Sequence, residues 1–285
     1  MSMEKKVTAQ GPSDRKSYTV TLPKDWVKQE KIDKTKLVDL EVIGGKLVIS
    51  SGKKLGKRVI INGDIYSEVF IKVLQGLYRA GVSEIKIVFN NSGVLKNIIT
   101  IIERLLIGYD VIEQKSDYII IKNITEESEE EFKNIFRRVF LLLIEISECK
   151  DCVQLKTLER SMKKLINFCQ RMLIQKGHVE HVKVPFYYLA LDRLEKIGDA
   201  YINLVDVKRD KHIVDANKLL RNSYELFYTF DSEKYAKSAK SSYDLKERIK
   251  LDNNLKLSKM YIYNITRLLN SLYGDIYTLN FDKVK

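Results

Sequence analysis

Cysteine is scarce in this sequence, three residues in 285, and the number is odd. A disulfide-held secreted scaffold is excluded on that count, and a reducing compartment is expected. Histidine also occurs only three times, always between residues 178 and 212. No Ser/His/Asp ordering and no paired carboxylates in a predicted cleft emerge, so no catalytic constellation is read and an enzyme is not expected. Long apolar runs are missing too. Residues 139–146 come nearest, but Arg137, Arg138 and Glu145 bound or break them, and a membrane helix needs about 18 uncharged apolar residues. The N-terminus has no apolar signal-peptide core. A cytoplasmic chain without membrane insertion is the expectation. Acidic residues fall short of basic ones, 38 against 50, for a net charge of +12. That excess favours an acidic partner, nucleic acid or a membrane surface.

What is present begins at residues 15–26, RKSYTVTLPKDW. Tyr18, Val20 and Leu22 alternate with Thr19 and Thr21, the period of a half-buried strand. Pro23 ends that strand and opens a short helix, since its fixed φ suits the first turn, and Asp25 complements the helix N-terminus. Trp26 and Val27 give the helix an apolar side, which Ile32 can close. Leu40, Val42, Gly44-Gly45, Leu47, Val48 and Ile49 then read as a tight hairpin around a two-glycine turn. Residues 1–58 hold fourteen Lys or Arg against seven Asp or Glu, the footprint expected of duplex binding. Lys5, Lys6, Arg15, Lys16 and Lys24 flank the first hairpin loop, residues 9–14, and are the candidate DNA-binding side chains.

Residues 51–58 (SSGKKLGKR shortened by its first serine) are polar, basic and glycine-containing, and read as a linker. Residues 59–124 follow the order βαβαββ: strands at 59–61 and 84–89, helices at 67–79 and 94–106, and a hairpin of 111–113 with 118–121. A small α/β unit with helices on one face is predicted, and no glycine-rich phosphate loop opens either helix. From residue 125 onward the pattern is all-helical, starting at a capping box of Thr125, Ser128 and Glu131. Six helices are predicted, at about 128–148, 154–176, 183–206, 210–229, 232–250 and 255–278. LDRLEKIGDAYINL (191–204) and TRLLNSLYGDIYTL (266–279) share Gly-Asp followed by Tyr and Ile positions, which favours a duplicated three-helix bundle.

Glu195 and Asp199 are four residues apart and Asp192 lies three before Glu195, so one helical face presents three carboxylates. Lys163, Lys164, Asn167 and Arg171 on the preceding helix suggest that cations answer them, and an ion-pair role is preferred to metal binding. Gly198 is read as a close helix contact. Cys149-x-x-Cys152 lies at a helix end, and it could make zinc or redox chemistry only if His178, His181 and Cys169 met it in space. Tyr187, Tyr188, Tyr261 and Tyr263 stand at the helical spacing of bundle packing.

Two resemblances attach to these residues. Strand, V-T-L-P-K-x-W, short helix, second strand, G-G and final strand over residues 1–50 resemble the swapped-hairpin DNA-binding domain of the AbrB/SpoVT/MazE family. That resemblance implies a homodimer on double-stranded DNA, and a domain of this size is also too small to bury an adequate core alone. R-L-E-K-I-G-D at 193–199 is similar to the signature helix of the PhoU family, tandem three-helix bundles linked to phosphate uptake. It implies a metal ion, Fe, Zn or Mg, at Glu195 and Asp199, although Ser271 departs from the motif in the second repeat and leaves only Asp275. The pairing implies a regulator of phosphate uptake with three parts: a swapped-hairpin β domain (1–50), the α/β unit (59–124) and a PhoU-like six-helix domain (125–285). The helical domain would sense phosphate status or touch a signalling or transporter protein. The competing readings are an adaptor whose hairpins only dimerise or hold a partner such as a toxin, and a metal-dependent phosphohydrolase. Operator, effector and coupling are not encoded in any motif.

Overall fold

The computed structural model describes residues 4–43, 46–51, 57–91, 93–125, 129–176, 181–205, 207, 211–252 and 256–283. The Gly44-Gly45 turn, residues 52–56 of the expected linker, the Ser128 cap, Gly177 and His178 lie outside them. The chain divides into two compact units, Met1–Leu55 and Gly56–Lys285.

In the first unit, β1 (Val7–Gln10) and β2 (Ser17–Val20) form an antiparallel hairpin, with Val7 opposite Val20 and Gln10 opposite Ser17. Gly11 turns the chain at φ +102, where a Cβ would come 2.8 Å from the Arg15 carbonyl oxygen, so only glycine fits. Pro23, at φ −60, caps α1 (Lys24–Gln29) as its sequence position predicts. α2 (Ile32–Thr35) is a single turn between Lys31 and Lys36, both in the left-handed region at φ 56 and φ 58. β3 (Asp39–Ile43) and β4 (Lys46–Ser50) pair antiparallel, Val42 opposite Leu47.

This unit has almost no interior of its own. Among its described residues only Ile32 is a buried apolar side chain, while Tyr18 is 71% and Val42 79% exposed. The half-buried strand expected at Tyr18 and Val20 is therefore corrected: within one chain both faces of β2 are open. The reason is architectural, because two separate two-stranded ribbons cannot cover each other's faces as a continuous sheet would.

The second unit opens with β5 (Lys57–Asn62), α3 (Phe70–Arg79), β6 (Val82–Val88), α4 (Gly93–Leu105), β7 (Tyr109–Gln114) and β8 (Tyr118–Asn123). The βαβαββ order is as read from the sequence, but β5 begins inside the stretch assigned to the linker and α3 starts only at Phe70. The sheet runs β5-β6-β8-β7, parallel between β5 and β6 and antiparallel elsewhere. Strand alternation aims Ile85, Ile87, Ile119 and Ile121 at the helices, and all four are fully buried. α3 answers with Phe70, Leu74 and Tyr78, and α4 with Val94, Ile98, Ile101 and Ile102.

Six long helices follow: α5 (Glu129–Glu148), α6 (Cys152–Lys176), α7 (Val184–Ile202), α8 (Ile213–Tyr228), α9 (Ser232–Leu251) and α10 (Leu257–Leu279). α5, α6 and α7 pack on one another, α8, α9 and α10 do likewise, and α7 lies against α10 to join the two sets. Asp151 accepts from the backbone N–H groups of Val153 and Gln154 at the start of α6, and Asp231 from that of Lys234 in α9, the side-chain capping that favours Asp at these positions. Phe132, Phe136 and Phe140 interlock with Tyr187 and Phe227 across α5, α7 and α8, Phe136 stacking on Phe227 at 4.8 Å. Tyr187 thus packs the bundle, as its spacing predicts. Gly198 sits where a Cβ would run into the Met162 methyl, the close helix contact expected of it. Among the described residues no helix is long and apolar enough to cross a membrane.

The α/β layer and the helices share one hydrophobic core. α6 is the helix on which α3 and α4 rest, and Arg171 fastens the junction. Its side chain is fully buried, Nη1 donates to the carbonyls of Tyr78 and Val82 at 2.8 Å each, and its guanidinium lies 5.0 and 5.3 Å from the neighbouring Tyr78 and Tyr109 rings. Tyr78 is the penultimate residue of α3, whose last carbonyls have no partner within the helix. Arg171→Met keeps the bulk but removes the charged donor that both carbonyls share, leaving them the Gly81 N–H and the Tyr109 hydroxyl, and is expected to lower the unfolding free energy by about 2 kcal/mol. Urea titration of the full chain measures this; a loss under about 1 kcal/mol would show that those two donors suffice.

Candidate functional site

The five basic residues predicted for DNA contact are all exposed, but the hairpin sorts them. Lys5 and Lys6 precede β1 and Lys24 follows β2, so these three stand at the open end. Arg15 and Lys16 stand at the turn end, where the Arg15 N–H donates to the Pro12 carbonyl at 3.0 Å. The strands between them span four residues, roughly 13 Å at the rise of an extended chain. The expectation that all five flank one loop is corrected, because β1 runs on to Gln10 and carries Lys5 and Lys6 away from the turn. Lys28, Lys31, Lys34 and Lys36 on and around α1 and α2 are exposed as well. They extend the basic surface, and their signal in the sequence was the local charge excess rather than any motif.

In the second unit, Glu195 and Asp199 are on α7 and meet cations from two directions. Lys163 of α6 lies 2.8 Å from Asp199 and 2.6 Å from Glu159, the cross-helix cation read from the sequence. Arg79, at the end of α3, lies 3.6 Å from Glu195 and donates from Nε to Asn167 at 2.7 Å. Arg79 carried no sequence signal, since nothing local links residue 79 to residue 195. Two other expected cations go elsewhere: Lys164 donates to the Glu103 carbonyl at 2.9 Å, and Arg171 serves the α3 junction. In both cases a backbone carbonyl of the α/β layer is the acceptor.

The three carboxylates expected on one face do not converge. Asp192 turns to Lys196, one turn along its own helix, at 2.6 Å. Among the described residues no group of three or more His, Cys, Asp or Glu is placed to hold a metal ion. With Glu195 and Asp199 each facing a cation, the donors fit an ion-pair network and do not fit Fe, Zn or Mg. The second repeat's Asp275 is buried on α10 and pairs with Arg193 of α7, so the two echoing segments pack on each other through a salt bridge. The cysteines are equally dispersed. Cys152 and Cys169 lie on the same helix, seventeen residues and about 25 Å apart, and Cys169 is wholly buried, which pushes its thiol up.

Burial raises the Glu195 pKa, against the attraction of Arg79 and with the repulsion of Asp199. Lys163 is pulled down by burial, but its hydrogen bonds to Asp199 and Glu159 outweigh that and hold it above the ordinary value. A carboxyl whose folded pKa exceeds its unfolded value, about 4.3 for Glu, loses stability as pH rises from that value through the folded pKa. Glu195→Gln is therefore expected to unfold less easily relative to the parent as pH rises from 4 to 7. Urea midpoints across that range measure it, and parallel profiles for the two proteins would contradict it.

Residues 15–57 match the profile of the family described as antidote-toxin recognition MazE, bacterial antitoxin. No curated protein and no solved structure matched the chain. Residues 15–57 thus carry a domain similar to MazE/AbrB, of the antitoxin or DNA-binding type, joined to a small sheet and a helical half.

Proposed function

We propose that this protein is a non-enzymatic, dimeric DNA-binding regulator of transcription that holds duplex DNA with its N-terminal hairpin unit. The observation that carries the reading is the nine exposed basic side chains among the described residues of the first unit, seven of them within the stretch that matches the MazE profile. Exposed cations of this kind neutralise phosphates and release counterions. Dimerisation has its own support. A unit that leaves Val7, Tyr18, Leu40, Val42 and Leu47 exposed and, among its described residues, buries Ile32 alone needs cover from outside, and a second copy supplies it. The 56–285 unit is the module that receives a signal. Phosphate status is the signal that the PhoU-like helix at 193–199 suggests, with a signalling or transporter protein as the other input.

A second reading is favoured by the family's printed description: an antitoxin-type adaptor whose exposed apolar hairpin holds a protein. Salt separates the two. Fluorescence anisotropy of the full chain on duplex DNA from its own upstream region, against a scrambled duplex, is expected to show a preference that persists at moderate salt. Arg15→Ala with Lys16→Ala is expected to weaken binding on every sequence and to reduce the slope of log K against log salt by about 2. Binding that ignores sequence and an unchanged slope in the double variant would reject the regulator and leave the adaptor.

A further inference from the structure

Among the described residues of the second unit, helices cover one face of its sheet and no element covers the other. Strand register aligns Arg58, Glu84, Lys122 and Asp110 in one row across β5, β6, β8 and β7. This row lies on the bare face, because Ile85 and Ile121, one residue along, are buried under the helices. Its signs alternate: plus, minus, plus, minus. Arg58 lies 3.5 Å from Glu84 and keeps 72% of its side chain exposed. Farther along the same face, Ile60 on the β5 edge is 72% exposed, and Ile112, in the bulge of the opposite edge strand, is 49% exposed. Between them the Lys86 ammonium sits 3.8 Å over the Tyr118 ring, whose hydroxyl donates to Glu113.

A row of four alternating charges changes sign everywhere when it is reversed end to end. A two-fold axis parallel to the strands, passing between β6 and β8, performs that reversal. It sets Arg58 over Asp110 of a second copy and Glu84 over Lys122 of a second copy, and brings Ile60 at one edge to Ile112 at the other. We propose that the bare sheet face is an isologous docking surface for a second copy of this chain. Four strands at about 4.8 Å and six residues at about 3.3 Å present roughly 400 Å² per copy. A standard interface buries about 800 Å² per partner. The contact is thus too small to hold two chains alone, and its full strength rests on the hairpin dimer proposed above, which raises the local concentration. Its charges fix register and orientation.

The test uses the full chain carrying Cys149→Ser and Cys152→Ser, with Ile120→Cys on β8 beside the axis, or Val88→Cys on β6 as the second site. A short bismaleimide is expected to join two copies. Adding Arg58→Glu, or Asp110→Arg, places like charges together twice per dimer and is expected to lower the crosslinked fraction about tenfold. Mixing those two variants restores it, because each reversed charge then meets its opposite. Sedimentation of the same samples reports the hairpin dimer separately. A dimeric chain that does not crosslink, or whose crosslinking ignores both reversals, overturns the sheet contact and leaves the hairpin dimer standing. A monomeric chain that crosslinks only at high concentration, with the charge dependence intact, supports the sheet contact and removes the hairpin dimer. No crosslink in a monomeric chain at any concentration overturns both.

Discussion

A guanidinium with no access to water has to be answered by acceptors held in place, and Arg171 obliges three elements to keep theirs. The carbonyls of Tyr78 and Val82 accept from it at the end of α3 and the start of β6, and the Tyr78 and Tyr109 rings, packed on each other, lie beside it. It belongs to a polar stripe. Lys163, Asn167, Arg171 and Gln175 are spaced by four along α6, so they lie on one side of the helix. Each reaches a different target: Asp199 of α7, Arg79 of α3, the α3–β6 junction, and the Gly81 carbonyl at 3.1 Å. One helix thereby ties the α/β layer to the bundle, and hydrophobic burial around it supplies the bulk of the stability. The polar stripe fixes which way the layer sits, since a buried charge tolerates few alternative arrangements.

The N-terminal unit follows the opposite logic. Its ribbons have sound local structure, a proline-capped helix and a glycine turn, but its apolar side chains face outward. In the dimer proposed above its stability comes from association, which would make its folding and its binding one equilibrium. For a regulator this arrangement has a use. The unit proposed to touch DNA would be the one whose state depends on what else is bound, while the 56–285 unit is compact and has its own core. In that scheme the carboxylates at Glu195 and Asp199, although grouped by spacing like a metal motif, work as structural ion pairs between layers.

Local order was legible wherever period and punctuation act within a few residues. The six helices, the βαβαββ order, the Pro23 helix start and the Gly198 contact all followed from that, and the cross-helix Lys163–Asp199 pair followed from helix spacing. What was hidden depends on distant chain. Arg79 reaches Glu195 across more than a hundred residues, and Arg171 leaves the carboxylates for backbone carbonyls because α3 ends beside it. Tyr18 and Val20 alternate like a half-buried strand, yet the pattern cannot say that no other element of the unit covers them. The separation of Lys5, Lys6 and Lys24 from Arg15 and Lys16 came from strand register, which composition does not set.

Joining through α6 makes residues 56–285 open as a single cooperative body. Native-state hydrogen exchange of the full chain at rising denaturant tests it most directly. Amides of β6 and β8 are expected to merge with those of α6 and α7 into one opening transition with one free energy. Sheet amides that exchange through a separate, lower-energy opening while the helices stay protected would contradict it.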